Sequence, residues 1–114
     1  MSGTAVSKEV AEKVFEAIES AKKSGKLRKG TNEVTKSVEK AQAILVAIAK
    51  DASPPEIVMH LPVLCKEKGI PCIEVSTKEE LGVAAGIGVP TASVAIVKEG
   101  DAKNLIKEIK ASLK

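Results

Sequence analysis

Apolar residues recur along this chain with two periods. Val10, Val14, Phe15, Ile18 and Ala21 return every three or four positions from Ser7, a favourable N-cap, to Ser24-Gly25, which predicts an amphipathic first helix. Residues 1–6 carry no pattern and are expected to fray. Lys26 to Lys29 reads as a short strand that runs into a turn at Gly30, with Thr31 as the N-cap of a second helix from Asn32 to about Gln42. On that helix Val34, Val38 and Ala41 share one face, while Asn32, Glu33, Lys36 and Lys40 share another. Ile44 to Ala49 is apolar without interruption, the mark of a strand covered on both faces and so of the sheet's centre.

The second half alternates in the same way. Ser53 is a candidate N-cap, with Pro54-Pro55 in the first turn of a third helix that ends at Gly69 and is bent or tightened at Pro62. Pro71 to Val75 predicts a strand, Thr77 caps a short helix to about Ala85 with Glu79 and Glu80 in its first turn, and Ser93 to Val97 predicts another strand. Asp101 is expected to cap a last helix with Leu105, Ile106, Ile109 and Leu113 inward. This order predicts a three-layer α/β/α sandwich with a mixed sheet of about four strands and about five helices.

At 114 residues the chain is expected to be one domain, 1–114, burying about two thirds of its unfolded surface. Lys and Arg total 18 against 15 Asp and Glu, a net charge of only +3, so a polyanion partner requires the positive charge to be gathered locally. The run Lys22, Lys23, Lys26, Arg28, Lys29, Lys36, Lys40 gathers it, although Lys-rich segments are more often simply solvated. Phe15 is the single aromatic residue, which excludes modules that stack bases on aromatic platforms. Cys65 and Cys72 lack the His spacing of a zinc site and are expected to be reduced and buried. No apolar run reaches about 18 residues and no signal-peptide core begins the chain, so a cytoplasmic location is expected.

The candidate chemistry lies at Gly30-Thr31-Asn32-Glu33. A helix N-terminus with Lys36 and Lys40 on the exposed face suits phosphate oxygens. An ionised carboxylate only accepts hydrogen bonds, so at such a site Glu33 must face donors; the N1–H and N2–H of guanine supply two, and Asn32 can both donate and accept. The plainer alternative is that Asn32 and Glu33 merely occupy a first turn, where acids suit the helix dipole. His60, alone among apolar neighbours, reads as structural.

Gly-Thr-Asn-Glu-x-Thr-Lys resembles the signature of the kink-turn-binding ribosomal protein family, the archaeal large-subunit L-seven-Ae proteins and their eukaryotic small nucleolar relatives. Asp51 to Pro55, His60-Leu61-Pro62 with Leu64-Cys65, Leu81-Gly82 and Gly86 to Ala95 extend the likeness over residues 7–114. The resemblance implies that Asn32 and Glu33 read the guanines of sheared G·A pairs, that Lys36 and Lys40 bind acceptors beside them, and that Arg28, Lys29 and Lys78 hold phosphates. Gly30 and Thr31 would shape the close approach. In the Gly86 to Thr91 loop, Ile87 and Val89 would pack on an extruded nucleotide; otherwise they tuck into the core edge. Many relatives carry an acidic or polar residue where Gly88 stands. The implied partners are kink-turn RNA in ribosomal RNA and in box C/D and H/ACA guide RNAs, with a Nop5-type protein and fibrillarin in the box C/D particle, and ribonuclease P in some cases.

The glycines fit neither dinucleotide nor phosphate-loop spacing. With one His, no G-x-S-x-G and no acidic cluster, the sequence offers no nucleophile with its base and no metal site, so no enzyme and no cofactor are expected. Two other readings remain: a ribosomal protein restricted to one rRNA site, and a protein adaptor whose apolar loop binds a partner. The free protein is expected to be monomeric.

Overall fold

In the computed structural model, residues 4–5, 8–51, 59–75 and 77–112 are described. The helices are α1 (Lys8–Ser24), α2 (Thr31–Glu39), α3 (His60–Lys68), α4 (Lys78–Ala85) and α5 (Lys103–Ser112). The strands are β1 (Thr4–Ala5), β2 (Lys26–Lys29), β3 (Leu45–Ala49), β4 (Cys72–Val75) and β5 (Ser93–Lys98). They pair in the order β1-β4-β3-β5-β2, with β5 antiparallel to both its neighbours and the other pairings parallel. β3 is therefore the centre, as its unbroken apolar run predicts, and all five of its residues are buried.

Alternation along the strands divides the interior into two cores, one on each face of the sheet. Leu45, Ala47, Ala49, Ile73, Val75, Val94 and Ile96 pack with Val14, Ile18, Ala21, Leu81, Ile106 and Ile109 of α1, α4 and α5. Val46, Ile48, Cys72 and Ala95 pack with Val34, Val38, Leu61 and Cys65 of α2 and α3. The result is the expected three-layer sandwich, with α2 and α3 forming one outer layer.

Several local expectations change. Thr4 and Ala5, in the stretch expected to fray, pair with Ile73 and Glu74 as a short edge strand. α2 stops at Glu39, and Ala41 leaves the packed face with φ 56°, exposed. The described part of α3 begins at His60, so Pro62 falls in a first turn, where its missing N–H costs no internal hydrogen bond. Asp101 does not cap α5. It lies inside a 3-10 turn (Gly100–Ala102) and donates its N–H to Ser24 Oγ at 2.8 Å. The Ser7 cap, the Ser53-Pro54-Pro55 turn and Leu113 lie outside the described residues.

Cys65 and Cys72 are free and buried where α3 meets β4. Their mutual hydrogen bond, reinforced by burial, holds the Cys72 thiol far above the ordinary thiol range. No helix among the described residues is long and apolar enough to cross a membrane.

Candidate functional site

β1 to β4 all run in one direction, so their carboxyl ends gather at one edge of the sheet, and the residues singled out by sequence lie there. β2 delivers the chain to Gly30, whose backbone (φ 88°, ψ 147°) is one that residues with a side chain adopt only under strain. Gly30 itself is the N-cap of α2, and no side chain caps the helix. Thr31 is therefore not the cap expected from sequence: its Oγ1 lies 3.3 Å from Ser93 Oγ instead. The first-turn amides, which no helix satisfies internally, are left without a side-chain acceptor from the N-cap residue and complement an anion.

Asn32, Glu33 and Lys36 are all exposed on the face opposite buried Val34 and Val38. Lys36 Nζ stands 3.8 Å from Glu33 Oε1, so a cation partly offsets the first-turn carboxylate while leaving it open. Lys29 ends β2 beside the turn and is exposed. Lys40 is not with them: it closes the far end of α2, eight residues or about 12 Å along the axis from Asn32. Arg28 is half-buried and lines a separate cavity with Lys26.

The opposite wall is the Gly86 to Thr91 loop. Val89 is 61% exposed, whereas Ile87 is half-buried against the core, so the core-edge alternative holds for Ile87 alone. Gly88 is exposed with φ 71° and offers no side chain. The loop is held from below by Gly82, where a methyl group would collide with the Val89 carbonyl. Lys78 opens α4; its N–H donates to Asp51 Oδ1 at 2.7 Å and its carbonyl accepts from Thr91 N–H at 3.1 Å.

Ser93, fully buried, joins the two walls and is invisible in the sequence reading. Its carbonyl accepts from Gly30 N–H at 3.2 Å and from Thr91 Oγ1 at 3.1 Å, and its hydroxyl meets Thr31. His60, exposed rather than buried, sits 2.7 Å from Thr35 through Nε2; Thr35 in turn donates to the Thr31 carbonyl at 2.7 Å. It braces α2 from α3, in keeping with a structural role. Among the described residues no cluster of potential metal ligands occurs.

The arrangement is an exposed corner with a carboxylate and an amide in the first turn of α2, cations around them and an apolar loop tip on the other side of Ser93. Such a surface can grip an anionic polymer while accepting hydrogen bonds from something attached to it. Among solved structures, the chain is similar to the Giardia lamblia 15.5kD RNA binding protein, at 34% identity and a TM-score of 0.88, covering 93% of this chain and 88% of that one. Residues 12–106 match the model of the Ribosomal protein L7Ae/L30e/S12e/Gadd45 family, and the chain belongs to that family.

Proposed function

We propose that the protein binds RNA at this corner and recognises kink-turns, sharply bent elements containing tandem sheared G·A pairs. The observation that carries the reading is Glu33: an exposed carboxylate beside Asn32 and Lys36 in the first turns of α2 has no use for phosphate, but suits the N1–H and N2–H donors of guanine. Membership of the family and the likeness to an RNA-binding protein support the same conclusion.

In this account Asn32 and Glu33 read the guanines, and Lys36 binds acceptors beside them. Lys29 and Lys78 hold phosphates beside the turn, Arg28 holds one from its separate cavity, Gly30 and Thr31 shape the approach, and Lys40 meets backbone farther along. Val89, with Gly88 and the edge of Ile87, covers an unstacked nucleotide. The protein acts as a monomer and a single domain without catalysis: it binds the bent RNA better than the extended one and shifts the population toward the bend. The RNAs are those of the large ribosomal subunit, of box C/D and H/ACA guide particles and of ribonuclease P, with a Nop5-type protein and fibrillarin joining the box C/D particle in the cytoplasm.

A kink-turn RNA labelled with a fluorescence donor and acceptor on its two stems tests this in the absence of divalent cations. Added protein should raise the transfer efficiency saturably. Transfer that stays at the extended value while the protein is bound would refute the proposed mechanism.

A further inference from the structure

At the other end of β2 the structure assembles a second cationic feature. Lys26 lies opposite Lys98 of β5, whereas the next pair is Leu27 with Ile96, so β5 carries one extra residue, Val97, at a β-bulge. A bulge turns consecutive side chains toward one face, and Val97 and Lys98 come round to meet Lys26, Arg28 and Gln42 about a cavity of roughly 290 Å³. Leu27 packs into the core on the opposite face, which fixes Lys26 and Arg28 on this one.

Like charges placed directly across two strands destabilise the pair. No carboxylate lines the cavity, and among the described residues Lys26, Arg28 and Lys98 take part in none of the ion pairs. Three cations, one able to bond in a bidentate fork, together with an amide donor and an apolar wall, match the oxygens of a phosphate group. Lys26 lies about 10 Å along β2 from Lys29, a distance one RNA stem spans.

We propose that the Lys26, Arg28, Lys98, Gln42 cavity is a second phosphate site, which takes a phosphodiester of a stem leaving the RNA bound at the α2 corner. The proposal rests on the RNA-binding reading above and extends it beyond the kink.

The test uses two kink-turn RNAs, one with stems trimmed to the few pairs that flank the kink and one with both stems extended. Each is titrated over a range of salt with the wild-type protein and with the Lys26→Ala, Lys98→Ala double variant, whose changes are confined to exposed side chains. On the extended RNA the double variant should show a salt slope shallower by about one to two, which between 50 and 200 mM salt amounts to roughly a fourfold to sixteenfold difference. On the trimmed RNA the two proteins should agree. Equal slopes on the extended RNA would overturn the site, and equal losses on both RNAs would assign the lysines to a diffuse field instead. If the wild-type protein bound neither RNA, the RNA-binding reading would fall first and this site with it.

Discussion

Gly30→Ala tests whether the corner is held by backbone geometry. Nothing lies within 4 Å of the position a β-carbon would take, so the substitution introduces no collision and its whole effect is conformational. At φ 88° and ψ 147° that effect is strain of about 1 to 3 kcal/mol. For a chain of 114 residues the entropy of unfolding is about 0.24 kcal/mol/K, which places the fall in Tm at about 4 to 12 °C. Relief is available only by rotating the Gly30 backbone, which loosens its N–H from the Ser93 carbonyl and the Val34 N–H from its own carbonyl. Asn32 and Glu33 would then point elsewhere, so RNA affinity should fall along with stability. Gly69→Ala is the control, since it strains the exposed C-cap of α3 at φ 70°, again with nothing within 4 Å of the added carbon, and lies outside the proposed RNA surface. Thermal melts followed by circular dichroism read the first effect, and titration with kink-turn RNA at one stated salt concentration reads the second. A Gly30→Ala protein that melts within a degree of wild type and binds equally well would refute this reasoning.

Three shorter predictions accompany it. Glu33→Ala should weaken kink-turn binding by about 1 to 3 kcal/mol, as loss of a paired base contact does, yet leave Tm nearly unchanged because its ion pair with Lys36 is exposed; unaltered affinity would remove Glu33 from the site. Thr77→Ala deletes the hydroxyl that accepts from Glu80 N–H at 3.1 Å and should cost about 1 kcal/mol, seen as a lower urea midpoint; an unchanged midpoint would mean that the cap is not needed. Cys72 has a folded pKa raised above its unfolded value, so its contribution to stability is complete below about pH 8.5 and declines as pH rises. The same hydrogen bond lowers Cys65, so across this pH range the folded pair releases one proton where the unfolded chain releases two; the fall of unfolding free energy between about pH 9 and 10.5 should therefore flatten in the Cys65→Ala, Cys72→Ala double variant, and identical slopes would contradict the assignment.

Much of the fold was legible because burial writes itself into periodicity. The run from Ile44 to Ala49 could be apolar throughout only if helices cover both faces, and it is the central strand. The α2 faces separated correctly for Val34 and Val38 against Asn32, Glu33 and Lys36, since every turn repeats the pattern. β1 escaped because two residues have no period, and its pairing with β4 is set by tertiary contact. Thr31 looked like an N-cap by type, but the chain enters α2 with Gly30 in a conformation that places the cap one residue earlier and frees the hydroxyl for Ser93. That contact joins residues 62 apart, which is why Ser93 read only as the first residue of a strand. Ile87 and Val89 have similar chemistry in one loop, and only the path of the backbone decides that one is packed and the other exposed.

The central claim is that the α2 corner reads guanines in a bent RNA. A titration at fixed salt against a kink-turn RNA, and against the same RNA with its sheared G·A pairs replaced by Watson-Crick pairs, tests it most directly. The account predicts tight binding to the first and its loss on the second. Equal, weak binding to both would show only a basic surface meeting phosphates and would contradict the account.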